Sequence, residues 1–195
     1  MKITKETVSD GIVVFQKVIE TAQGGFTLET SDLVVDANLK AGTLIGATVA
    51  NETARRVTAI KTVLVYENAS NTATDIKIAK GHHFKVGNYL AAVKGGKAYA
   101  ITVIDTSNAL YDTITVGTTL GVALTVGDVL FQSTATGASV AIYVRPLGLL
   151  YEDTTIASEV DVAVVIRGTV YGRRTPGLHA TILADIPNIL VSNSY

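Results

Sequence analysis

Apolar and polar residues alternate over four to eight positions again and again along this chain, a period of two that predicts strands. Residues 59–66 (AIKTVLVY), 75–79 (DIKIA), 99–104 (YAITVI) and 111–116 (YDTITV) carry the pattern most clearly. Their β-branched and aromatic side chains suit a pleated surface with one face packed. Shorter strands are predicted over residues 26–28, 33–35, 84–93, 120–124, 129–132 and 139–144. Residues 160–165 run into 166–171 as the longest strand, after a change of direction at 146–150, and residues 189–191 close the sheet. Strands at roughly ten-residue spacing, separated by Gly, Asn and Asp, predict an all-β barrel or sandwich.

Helical signals are few. Residues 51–59 read as one helical turn or a polar loop. Thr175-Pro176 reads as a helix start, Thr as cap and Pro in the first turn, with residues 177–184 as the helix and Pro187 ending it. Residues 67–74 (ENASNTAT) form a polar, turn-rich stretch and a candidate internal boundary. The expectation is therefore a mainly β chain, a barrel or sandwich of β-tulip-like form. It has one short C-terminal helix and an N-terminal strand or arm over residues 1–25, ahead of a body over 26–195. Ile3, Val8, Ile12 and Phe15 give the arm apolar contacts for its own body or a neighbouring subunit.

One phrase occurs three times: Leu39-Lys40-Ala41-Gly42-Thr43-Leu44-Ile45, Phe84-Lys85-Val86-Gly87-Asn88-Tyr89-Leu90 and Leu124-Thr125-Val126-Gly127-Asp128-Val129-Leu130. Each reads apolar, polar, small apolar, Gly, polar, then two apolar residues. Glycine supplies the positive φ of a tight turn, and the apolar pair opens a strand. The copies lie 45 and 40 residues apart, within the range of sequence repeats, but the text between them does not repeat. Gly42, Gly87 and Gly127 are therefore read as corners of a barrel.

Composition sharpens this picture. Hydrophobic residues make up 48% of 195, mean hydropathy is +0.37 and formal net charge is −1. No apolar run approaches the roughly 18 residues of a membrane span, so the apolar surplus points to surface buried against other subunits. The near-zero charge gives no electrostatic reason to expect nucleic acid. Without cysteine there is neither a disulfide framework nor a thiolate metal site, which fits assembly inside a cell. Residues 12–15 form too short an apolar run for a secretory signal.

Candidate chemistry is sparse. Asp105-Thr106-Ser107 invites comparison with the Asp-Thr/Ser-Gly loop of aspartic proteases, but Ser107 stands where glycine is required and no second loop occurs. An Asx turn is the simpler reading. His82, His83 and His179 are the only histidines; on a strand His82 and His83 face opposite sides, which opposes a shared metal. Residues 117–121 (GTTLG) lack the Gly-Lys-Ser/Thr ending of a phosphate loop. Arg167, Arg173 and Arg174 gather near Tyr171, residue types enriched at protein interfaces. The expectation is no catalytic residue, no cofactor and no metal.

The series of residues 84–90, Ala100-Ile101-Thr102-Val103-Ile104-Asp105, Tyr111-Asp112-Thr113-Ile114-Thr115-Val116, Leu120-Gly121, Gly148-Leu149-Leu150 and 164–171, closed by Thr175-Pro176 and Ile186-Pro187-Asn188-Ile189, resembles the small head-fibre and capsid-decoration proteins of tailed bacteriophages. The likeness is greatest to those of phages infecting gut Bacteroidetes, weaker to lambda-type head decoration proteins, and spans roughly residues 75–195. It implies a virion protein assembled in the host cytoplasm, trimeric on the capsid exterior, bound to the major capsid protein, without enzymatic activity, membrane or direct nucleic-acid contact. Ile3, Val8, Ile12, Phe15, Arg167, Tyr171, Arg173 and Arg174 are then the candidate oligomer or capsid contacts. The alternative is a fibre or baseplate module binding a cell-surface glycan, with Tyr89, Tyr99, Tyr111, Tyr143 and Tyr171 as candidate aromatics; a third reading is a hydrolase using Asp105.

Overall fold

The computed structural model describes residues 13–193. In chain order the elements are β1 Phe15–Thr21, β2 Phe26–Glu29, β3 Asn38–Leu39, β4 Leu44–Ala47, α1 Val49–Thr53, β5 Arg56–Ala59, β6 Thr62–Leu64, β7 Asp75–Ala79 and β8 Tyr89–Ala91. Then follow β9 Ala98–Asp105, β10 Tyr111–Val116, β11 Val129–Ser133, β12 Arg145–Leu150, β13 Thr154–Thr155, β14 Asp161–Val162, β15 Val164–Tyr171, α2 Ala180–Leu183 and β16 Ile189–Ser192. The described residues are mainly β, as the pattern predicts, with two short α-helices, α1 and α2, where one was expected.

The strands form two principal sheets. One runs β1-β15-β12-β4-β5-β2-β14, with β16 parallel to the far half of β15. The other runs β6-β11-β8-β9-β10-β7, and its two ends meet through the Val65–Ile78 bridge and the Tyr66 N–H to Lys77 carbonyl bond of 2.9 Å. That sheet curls on itself, around Val63, Ile76, Ile78, Leu90, Ile101, Ile114 and Leu130. The strict alternation of β7 and β10 is the reason: every second side chain must point into the curl.

The centre of the eight-stranded sheet, at β4, β12 and β15, is buried on both faces. Leu44, Leu149 and Val165 face the curled sheet, α2 and Phe131. Their chain neighbours Ile45, Leu150 and Val164 face Leu28, Leu33, Leu39 and Ile156 on the other side. This is why these strands read as continuous apolar runs. Each fully buried Leu or Ile contributes on the order of 1.5–3 kcal/mol, so the shared cluster binds the two sheets firmly.

The three glycine phrases adopt one geometry. Gly42, Gly87 and Gly127 have φ of +79°, +92° and +91°. In each, the N–H after glycine donates to the carbonyl three residues back: Thr43 to Lys40 (3.1 Å), Asn88 to Lys85 (3.0 Å), Asp128 to Thr125 (3.0 Å). This is a type II turn with glycine at its third position. Each glycine N–H reaches across to another strand or its flank, at Leu150, Ile101 and Val65. The turns feed β4, β8 and β11 respectively. The first lies in the eight-stranded sheet, the other two in the curled one.

Several local expectations are corrected. Residues 33–35 are not a strand: Leu33 and Ala37 close tight turns onto Thr30 and Val34, because Leu33 plugs the core while Val34 and Val35 remain outside. The run 59–66 breaks at Ile60–Lys61, where the chain leaves one sheet for the other: Ile60 N–H bonds Leu44, whereas Lys61 C=O accepts from Gln132. Residues 120–124 and 139–144 make only single bridges, and their apolar residues act as plugs. Residues 146–150 lie inside β12, where a register shift between Pro146 and Gly148 accommodates the missing proline N–H. Thr175 does not cap a helix. Proline holds its predecessor extended, Thr175 has ψ of 157°, and Gly177 at φ +130° interrupts any helix. His179 caps α2 instead, Nδ1 accepting from the Thr181 N–H at 3.2 Å.

Candidate functional site

Of the proposed assembly residues, Phe15, Tyr171, Arg173 and Arg174 lie near the start of β1, and Arg167 lies further along β15, opposite Glu20. β1 is the outer strand, paired with β15 at Phe15↔Val170, Lys17↔Thr169 and Glu20↔Arg167. Among the described residues no strand pairs its other edge. Register places Lys17, Thr169 and Leu190 in one row on one face. Phe15 is half-buried with its ring 6.0 Å from that of Tyr151. Arg174 lies 4.7 Å over the Tyr171 ring and donates to the Val13 carbonyl at 2.8 Å, so it fastens the start of β1. Arg173 is exposed beside it in a 3-10 turn, Gly172–Arg174. Val13, Ile19 and Leu190 are 61%, 53% and 63% exposed. Ile3, Val8 and Ile12 lie outside the described residues.

Of the tyrosines proposed as sugar-binding, Tyr89, Tyr99, Tyr111, Tyr143 and Tyr171 are all half-buried. Tyr111 pairs with Tyr66, ring centroids 5.2 Å apart, and Tyr66 is exposed. Tyr66 escaped the sequence reading because it ends an apolar strand pattern.

Asp105 makes an Asx turn, Oδ1 accepting from the Ser107 N–H at 2.9 Å. That bond holds its carboxyl below the ordinary value. Among the described residues no three His, Asp or Glu side chains are grouped to hold a metal ion, and no helix is long and apolar enough to cross a membrane.

Buried polar chemistry sits where the two sheets meet, at residues the sequence did not single out. Lys61, at the crossing between β5 and β6, has a side chain 1% exposed. Its Nζ lies 2.7 Å from Asp32 Oδ2 and donates to Asn88 Oδ1 at 2.6 Å. Asn88 Nδ2 donates to Asp32 Oδ1 at 3.1 Å and approaches Oδ2 at 3.4 Å, while Gln132 Nε2 donates to Oδ2 at 2.9 Å. Burial pushes the Lys61 ammonium below its ordinary value, against the Asp32 contact. Burial raises Asp32, but the bonds from Lys61, Asn88 and Gln132 outweigh it and hold that carboxyl low. A signal existed: Lys61 is the lone charge in its apolar run, and Asn88 follows the turn glycine.

A second cluster borders it. Asp112 faces inward on β10 and is contacted by Lys80 Nζ at 2.6 Å and His82 Nε2 at 3.3 Å. His82 Nδ1 accepts the Phe84 N–H at 3.2 Å, so the ring proton sits on Nε2, towards Asp112. Burial lowers the pKa of both His82 and His83. His82 and His83 are in a loop, not a strand, and with Lys61, Thr62 and Leu33 they line a cavity of about 40 Å³.

No family model, curated protein or solved structure matches this chain.

Proposed function

We propose that this is a structural virion protein that binds the outer surface of an assembled tailed-phage capsid and stabilises it, as a homotrimer seated on the major capsid protein. The resemblance of residues 75–195 to head-fibre and decoration proteins supplies the class. The observation that carries the reading is the outer edge of β1, which no described strand pairs, with Val13 and Ile19 exposed along it and Leu190 exposed two strands away on β16. A strand edge left unpaired by the described strands and bearing apolar side chains is a surface that takes up a strand or a subunit.

The mechanism is linkage: a protein that binds the expanded shell and not its free subunits stabilises the shell by about 2.7 kcal/mol per site at 100 times its Kd. Summed over many sites, this opposes the pressure of packaged DNA. Sedimentation velocity at micromolar concentration, with co-sedimentation on capsids built from the cognate major capsid protein, tests it. The expected result is a trimer that pellets with capsids and is lost in an Ile19→Asp/Leu190→Asp variant. A monodisperse monomer that stays in the supernatant refutes it.

The exposed Tyr66, its ring tilted against that of half-buried Tyr111, favours a second reading, a glycan-binding fibre or baseplate module, since an exposed aromatic face stacks on a sugar ring. A glycan array expects hits that Tyr66→Ala removes; a blank array disposes of this reading.

A further inference from the structure

Lys61, Asn88 and Asp32 stand as an amine, an amide and a proton carrier in mutual contact. One carboxylate touches both the amine, at 2.7 Å, and the amide nitrogen, at 3.1 Å. We propose that the chain cross-links itself, Lys61 Nζ attacking Asn88 Cγ to form an isopeptide bond with loss of ammonia and with Asp32 as the catalytic carboxylate.

The geometry is close to that of attack. Nζ lies 2.6 Å from Asn88 Oδ1. With a carbonyl bond of about 1.23 Å, Nζ is then between about 2.9 and 3.8 Å from Cγ, a range that includes the near-attack separation of about 3–3.5 Å. The amide is already polarised: the Lys85 N–H donates to the same Oδ1 at 2.9 Å and remains there to stabilise the oxyanion as the carbonyl becomes tetrahedral. That bond is a product of the glycine turn, which places residue 88 back over residue 85.

The protons balance. Asp32 takes one proton from the Lys61 ammonium, leaving a neutral amine and a carboxylic acid. The amine lone pair forms the Nζ–Cγ bond and the carbonyl π pair moves to Oδ1. Asp32 delivers its proton to Nδ2. The Oδ1 pair returns, the Cγ–Nδ2 bond breaks, and ammonia leaves. Nζ gives up its surplus proton to Asp32, and ammonia carries it away as ammonium. Nothing is oxidised or reduced. Burial of Lys61, which disfavours its charged form, favours the first transfer, whereas the bonds that hold the Asp32 carboxyl low make it a weaker base and oppose it.

A second lysine–asparagine–aspartate set in the same chain shows what is missing elsewhere. Lys40 Nζ meets Asp153 at 2.8 Å and Asn38 Nδ2 meets it at 3.4 Å. There the Lys40 and Asp153 side chains are 61% and 45% exposed, and the hydrogen bonds of Asn38 and Lys40 run to Asp153, not to each other. The Lys61 cross-link is independent of the proposed virion role. It would tie the crossing between the two sheets to the turn before β8 and close a covalent loop through the curled sheet.

Intact-mass spectrometry of the purified, folded full chain is the test. The expected result is a mass about 17 Da below that of the sequence, one ammonia, and after digestion a branched peptide joining Lys61 to Asn88. Lys61→Arg, Asn88→Ala and Asp32→Asn each restore the full mass. A folded wild-type chain at the unmodified mass overturns the proposal. So does a loss that persists in Lys61→Arg, which identifies a cyclised asparagine instead. Because the first reading needs no variant, a misfolded mutant leaves the result intact.

Discussion

Replacing the three turn glycines by alanine separates backbone strain from packing, because the turns share a conformation and differ in surroundings. With φ between +79° and +92°, a Cβ costs about 1–2 kcal/mol in each. Loss of glycine's freedom in the unfolded chain offsets about 0.4–1 kcal/mol. At Gly87 and Gly127 an added Cβ meets nothing within 4 Å, so each substitution is expected to cost about 0.5–1 kcal/mol net. At Gly42 it falls 2.8 Å from Val14 Cγ1 and 2.9 Å from Thr175 Cγ2, well inside a carbon contact of about 3.5–4.0 Å. Val14 and Thr175 are buried and have little room to retreat, which adds about 1–3 kcal/mol of overpacking. Gly42→Ala is thus expected to cost two to four times as much as either other variant, on the order of 2–4 kcal/mol. Urea unfolding followed by circular dichroism measures this, and each kcal/mol appears as about 2–4 °C in Tm for a chain of this size. Equal losses at all three sites, or the smallest at Gly42, refute the packing account.

Two further predictions concern the buried polar centres. Burial holds His82 and His83 neutral in the fold, so below their unfolded value of 6.5 the unfolded chain binds more protons and stability falls with pH. A second loss follows below 3.8 as the depressed Asp32 and Asp153 carboxylates are protonated. A pH series of urea midpoints should show both windows, and the upper one should shrink in a His82→Gln/His83→Gln variant; an unchanged slope in that variant contradicts the assignment. Asp112→Ala leaves the buried His82 Nε2–H without an acceptor and removes the carboxylate that Lys80 pairs with, and should cost about 1–3 kcal/mol. Asp112→Asn keeps an acceptor and should cost less, whereas equal losses in the two variants point away from hydrogen bonding.

Much of the strand content was legible because its cause is local. The alternation of DIKIA and YDTITV needs no distant partner to be read, and the structure returns them as β7 and β10. The same holds for the three glycine turns, since a positive φ is a demand of four consecutive residues. Residues 33–35 and 139–144 failed for the complementary reason. Their apolar side chains are needed as plugs against a sheet formed elsewhere, and burial alone does not distinguish a plug from a strand. The polar centre was hidden for the same cause: Asp32, Lys61, Asn88 and Gln132 are spread over a hundred positions, and each alone is an ordinary polar residue.

The sequence by itself determined that this chain is built of short strands, where its tight turns fall, and that its apolar content exceeds what a small charge suggests. Those properties follow from side-chain period and backbone sterics, which act over a few residues. Only the tertiary structure decided that the strands divide between two sheets, that the run AIKTVLVY breaks at Lys61 to pass between them, and that this crossing brings a buried amine against an amide and a carboxylate. Strand pairing is long-range, and the energy that selects it comes from closing a core, which no local pattern records.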